Sequence, residues 1–166
     1  MKVYRTQEEV EKDVVDGVLK IDGDIKIECD VLLGNTSLII DGNIDCRNID
    51  CGNINCGDIN CRNIWCWNIN CGNITCRDIT CGDITCLDIT CLDINCGDIN
   101  CRNIWCWNIN CGNIDCGDIT CGNIDCRNIN FYAVAFAYNS FVCKSIKGKR
   151  KNSKYFCLDS DVIIRR

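Results

Sequence analysis

The amino-acid sequence predicts an all-β coil in which one short strand and one corner repeat many times. Three observations predict it. Cys recurs at every fifth position from Cys46 to Cys126, and Ile at every fifth position from Ile44 to Ile129. A step of five fits neither the 3.6-residue turn of a helix nor the simple alternation of a strand. Within each unit, however, Ile and Cys stand two apart, so in extended chain both point to one side and the residue between them points to the other. The two remaining positions are rich in Gly, Asn and Asp, which suit a tight turn.

The repeating unit is Ile-x-Cys-x-(Asn/Asp). It resembles the unit of the pentapeptide-repeat family, commonly Ala-(Asp/Asn)-Leu-x-x, and the resemblance covers residues 44–146. The family winds four units, about twenty residues, into each square coil. The resemblance therefore implies a right-handed quadrilateral (four-sided) β-helix solenoid. This unit departs from the family pattern, because the larger Ile precedes the smaller Cys and Asn/Asp falls in the turn. An alternative phase, with Ile central, would put Arg62 or Trp67 at a small inward site. Cys is therefore expected as the central residue. Phe131, Phe136, Phe141 and Ile146 continue the Cys slot, and Val134 keeps the Ile slot once more. The segment 57–74 recurs identically at 97–114, and this offset of forty reads as two coils of twenty.

Open coil ends expose core and unpaired strand edges, so both ends should be covered. Thr6-Gln7-Glu8-Glu9 has capping-box spacing, Val10, Val14 and Val15 give an apolar face, and Gly17 ends the helix. Ile25, Ile27, Cys29, Val31 and Leu33 alternate as a half-buried strand, Gly34-Asn35 turns, and Leu38-Ile39-Ile40 adds a further strand. Residues 1–43 are thus read as an N-terminal α-helical cap with an irregular capping coil, and 44–146 as the repeat β-helix. Residues 147–166 form a basic loop, Lys147 to Lys154, and a C-terminal cap from Tyr155-Phe156-Cys157-Leu158 and Val162-Ile163-Ile164.

The net charge of −5 is divided: residues 1–43 carry −5, 44–130 carry −6 and 131–166 carry +6. The absence of His removes the usual general base and the commonest metal ligand. No apolar run approaches a membrane span, and the first residues are too charged for a secretory signal. A cytoplasmic protein is expected, with its twenty Cys reduced. Stacked inward Cys would hold their Cβ atoms about 4.8 Å apart, wider than a disulfide favours. The Cys-x4-Cys spacing is not that of a zinc knuckle. The thiols are read as small buried hydrophobes, with no cofactor and no metal.

On coils of twenty, Trp65, Trp67, Leu87, Leu92, Trp105 and Trp107 would form an outward apolar stripe, a plausible interaction surface. Asp58, Asp78, Asp98 and Asp118 would stack as one acidic column. Thr75, Thr80, Thr85 and Thr90 would fall on four different sides and form no ladder. The basic loop lacks aromatic interleaving and reads as solvated, so nucleic acid is not the expected partner. The expected function is a non-enzymatic structural or interaction protein that binds a protein partner or itself, as a homodimer, through the stripe or an end. The alternative, implied by the resemblance, is a DNA-mimic binder of a type II topoisomerase (gyrase).

Overall fold

The structure is a computed structural model that describes residues 1–165. It is an all-β solenoid of about nine turns with almost no helix. Every strand belongs to one continuous sheet wound on itself. All pairings are parallel except Val14–Val15 against the start of Val18–Asp22. Among the described residues no helix is long and apolar enough to cross a membrane.

The side of the coil is five residues long, as its period requires, but the coil has three sides rather than four. Ile59 lies between Ile44 and Ile74, Ile64 between Ile49 and Ile79, and Ile69 between Ile54 and Ile84. Successive turns are therefore fifteen residues apart (74 − 59), with strands such as Ile59–Asn60, Asn63–Trp65 and Asn68–Asn70 making one turn. A five-residue repeat dictates the length of a side and says nothing of how many sides close a turn. One Ile per side reaches the axis, and three fill a triangular section at the density that interiors require.

The phase also differs from expectation. Ile is the central residue of each strand, flanked by Asn/Asp before it and a variable residue after it, both pointing outward. Every Ile of the repeat, from Ile44 to Ile129, is 0–2% exposed. Cys follows the strand and lies under the corner, buried at Cys51, Cys86 and Cys116 but only half-buried at Cys61 or Cys76. Arg62 and Trp67, excluded from an inward corner on grounds of size, sit at outward bends in this phase.

Beyond Phe131 the turns lengthen. Phe131 opposes Cys116 in the Cys slot as expected, but Ala135 opposes Ile119, and Phe141 and Ile146 oppose Ile124 and Ile129. Extra residues near Tyr132 and Tyr138 shift the register, so Phe141 and Ile146 enter the Ile slot. Phe136 opposes the outward Thr120, and Val134 leaves the core.

At the N-terminal end Thr6 caps a helix Gln7–Glu11, accepting from the Glu9 N–H, and Val10 is fully buried. The helix does not extend to Gly17. Asp16 and Gly17 both have positive φ, 49° and 74°, and turn Val14–Val15 back onto Val18 as a hairpin. Asp-Gly is the pair that such a turn favours. Gln7 then acts like a strand of one residue: its Nε2 donates to the Leu32 carbonyl at 2.8 Å and its Oε1 accepts from the Leu32 N–H at 3.1 Å. At the other end Ser145–Gly148, Lys154–Cys157 and Val162–Ile164 form a last turn on the preceding strands. Tyr155 opposes Ala135 at an inward position and lies over the core, its ring 6.3 Å from Phe131 and 6.5 Å from Phe141.

Candidate interaction surface

A fifteen-residue turn redistributes every outward residue. Asp58 and Asp118 share one face, but Asp78 falls on the second and Asp98 on the third, so the four form no column. What stacks instead is a file of Asn and Asp. Asn43, Asp58, Asn73, Asp88, Asn103 and Asp118 alternate along one edge. Asn73 Nδ2 donates to Asp58 at 3.1 Å, Asn103 to Asp88 at 2.9 Å, and on another face Asn113 to Asp98 at 2.8 Å. Each amide donates down the file to a group that can only accept, so neighbouring turns are tied outside the core as well as within it. Arg102 adds a bidentate contact to Asp88, which holds that carboxyl below its ordinary range.

These ladders were not foreseen, and they account for the corner glycines at Gly57, Gly72, Gly97 and Gly112; Gly52, Gly82, Gly117 and Gly122 instead lie close to a backbone carbonyl. A Cβ on Gly72 would lie 2.4 Å from Asp58 Oδ1, and one on Gly112 2.8 Å from Asp98 Oδ1. The same carboxylate oxygens accept the N–H of Asn73 at 2.7 Å and of Asn113 at 2.9 Å. At bulky corners the N–H goes elsewhere: Asn108 donates to the Leu92 carbonyl and Asp93 to that of Arg77.

The six residues of the expected stripe do not share a side. Trp67 stacks between Gly52 and Gly82 on one corner, and Leu87 between Gly72 and Arg102 on another. Trp65 stands on a face between Asp50 and Thr80. Leu92 and Trp107 do stack, the Trp107 N–H donating to the Leu92 carbonyl at 2.8 Å. Trp105 flanks them on the adjoining face, between Thr90 and Thr120. Thr75 and Thr90 also prove to be stacked neighbours.

The Leu92–Trp107 corner continues into Phe136, expected in the core, Phe156 and Leu158, expected in the cap, and Tyr138, to which the sequence assigned no place. Thr120 opposes Phe136, and Phe136 opposes Phe156, whose ring is 4.7 Å away. Tyr138 follows Gly122 along the corner, its ring 4.6 Å from Phe136. Leu158 comes next, its N–H bonded to the Ala137 carbonyl. Gly122 has no side chain to hold the Trp107 ring off; a Cβ there would meet the ring at 3.2 Å. The result is one outward apolar strip from Leu92 to Leu158 across five turns, with Trp107 56% and Leu158 64% exposed. At a strand spacing of about 4.8 Å it is roughly 20 Å long.

Under the corners the Cys form three files spaced by fifteen, and Cys106 and Cys121 are opposed rungs with Sγ atoms 3.2 Å apart. Burial pushes the Cys51 and Cys116 thiols up to about 12. Cys91 is also raised, by its contacts with Cys106 and Cys76 and by burial. Among the described residues no three His, Cys, Asp or Glu side chains converge as a metal site. No family model, no curated protein and no solved structure matches this chain.

Proposed function

We propose that this protein is a non-enzymatic interaction module, a three-sided variant of the pentapeptide-repeat coil, that pairs with a second copy of itself through the Leu92–Leu158 strip. The observation that carries this reading is the register that puts Leu92, Trp107 and Tyr138 on one corner and Trp105, Phe136 and Phe156 on the face beside it, with only Gly122 and Thr120 on the rung between. A contiguous apolar surface rich in Trp and Tyr is the composition of binding hot spots.

Charge favours a second copy as the occupant. The strip begins on the body, where residues 44–130 carry −6, and ends on the tail, where 131–166 carry +6. An antiparallel two-fold pair sets each basic tail against the acidic body of its mate, the self-complementary arrangement of an isologous dimer. The hairpin at Val14–Val15, the Gln7 side chain and the helix Gln7–Glu11 close the N-terminal end in this reading, leaving the strip as the adhesive surface. Nothing in the registers favours DNA mimicry, since the carboxylates divide among three faces, and no more than two stack without an amide between them.

A strip this narrow makes a weak dimer, below the size of standard interfaces. Sedimentation velocity over a concentration series tests it. The parent should shift toward the dimer as concentration rises, and Trp107→Ser/Phe156→Ser should remain monomeric with an unchanged circular dichroism spectrum. A parent that is monomeric at every concentration removes self-pairing; a dimer that survives the double substitution removes the strip.

A further inference from the structure

The Cys files have a use that packing alone does not require. Directly opposed residues in neighbouring turns have Cα atoms about 4.8 Å apart, within the range a disulfide spans. The sequence-based objection was that Cβ atoms held at that same spacing are too far apart. Cys106 and Cys121 answer it, because their side chains lean together until the sulfurs touch at 3.2 Å. Cys91 and Cys76 continue the same file below Cys106 at steps of fifteen, but the close sulfur contact is the one between Cys106 and Cys121. Within the file Cys91 is the one alternative partner for Cys106, and the sulfur contact favours Cys121; between files no pairing competes. Cys five apart in sequence lie on different corners, separated by a strand of roughly 10 Å, beyond disulfide reach.

We propose that Cys106 and Cys121 are a site of oxidative modification at which a peroxide joins one turn of the solenoid to the next. Cys106 is the half-exposed rung and Cys121 the buried one, so the peroxide meets Cys106 first. The Cys121 contact and burial hold the Cys106 thiol above its ordinary range, so only the small ionised fraction reacts, faster in mild alkali. That thiolate attacks one peroxide oxygen, the O–O bond breaks and hydroxide leaves, giving a sulfenic acid. The Cys121 sulfur then attacks Sγ of Cys106, the S–O bond breaks, and water leaves with the Cys121 proton. Two thiols and one hydrogen peroxide become one disulfide and two waters. The neighbouring rung sits in contact, so the sulfenic acid is captured before a second peroxide can carry it to the irreversible sulfinic state. The bond ties adjacent turns and closes a loop of fifteen residues.

Peptide mapping of the full chain after peroxide treatment tests this. Native protein is treated with hydrogen peroxide, its remaining thiols are alkylated, and it is cleaved before Asp98, Asp115, Asp118 and Asp125. Cys121 is then alone in peptide 118–124, and Cys106 lies in 98–114. The expected product is a cross-link between these two peptides, lighter than their sum by two hydrogens, with fragmentation placing it at Cys106. Cys121→Ser should abolish that link and leave Cys106 either as sulfinic acid or joined to Cys91 in peptide 88–92, released by the same cleavage before Asp88 and Asp93, whereas Cys111→Ser should leave the link in place. Three results would overturn the proposal. One is a native protein that forms no link at a peroxide dose that oxidises the urea-unfolded chain. Another is Cys121 joined to Cys101 or Cys111 in place of Cys106. The third is the same mixture of links from folded and unfolded chains.

Discussion

At the scale of single residues, the corner glycines are spacers for a neighbour's oxygen, and their value does not come from backbone freedom. Gly72 has an ordinary φ; what it lacks is a Cβ that would collide with Asp58 Oδ1 at 2.4 Å. That oxygen accepts both the N–H and the side-chain amide of Asn73. Gly72→Ala should push the carboxylate away and weaken both bonds at once, a loss of about 1–3 kcal/mol. A urea titration reads it as a lower midpoint with an unchanged slope. Leu87 occupies the same corner one turn later. Leu87→Ala should therefore cost less than about 0.5 kcal/mol, because it removes only exposed surface. An equal loss at both positions would mean that the Asp58 contact is not what Gly72 protects. This pairing of Gly with a stacked Asp or Asn was present in the sequence, but it becomes visible only when residues fifteen apart are compared.

At the scale of the element, the Cys files make the rod sensitive to alkali. Cys51 and Cys116 have folded values of about 12 against an ordinary 9.0, with burial the leading cause. Tyr4 rises from 10.0 to about 12, through burial first and then its hydrogen bond to Asp13. Each of these groups holds its proton more tightly when folded, so between the two values the native state binds more protons than the unfolded chain. Stability from them is complete below about pH 9 and is lost as the pH climbs toward about 12. Asp13, lowered by Lys2 and Tyr4, has the opposite sign and matters only in acid. Under reducing conditions the urea midpoint should be level from about pH 6 to 8.5 and then fall steadily. A midpoint still level at about pH 11 would mean that the thiols ionise as freely in the rod as in the unfolded chain. The strand and its inward Ile were legible from the period of five. The Cys was placed half a step wrong, because two inward residues separated by one position leave either as the centre. Only the corner geometry decides between them.

At the scale of the whole molecule, the number of sides was the reading that failed, and everything on the surface failed or survived with it. The identical segments 57–74 and 97–114 suggested turns of twenty, yet forty residues are two turns of fifteen and ten residues more, so the copy is rotated by two sides. The charges carried a contrary signal. Steps of twenty stack Asp58, Asp78, Asp98 and Asp118 in an unbroken file with three like-charged contacts, whereas steps of fifteen set Asn73 and Asn103 between acids and leave two, Asp78 on Asp93 and Asp83 on Asp98. Like charges opposed on neighbouring strands are destabilising, so the charges lean toward the triangular register, by one contact of three. A pair of deletions separates the inner code from the outer one. Removing fifteen residues, 108–122, takes out one whole turn and leaves Trp107 and Tyr138 on the same corner. Removing ten, 108–117, turns the tail by two sides and carries Phe136, Tyr138 and Phe156 away from Trp107. Each turn interacts mainly with its neighbours, and every side presents the same inward Ile, so both shortened chains should fold and keep a β-sheet circular dichroism spectrum. Only the fifteen-residue deletion should still dimerise in sedimentation velocity. If the ten-residue deletion dimerises equally well, the association does not depend on the corner that joins body to tail.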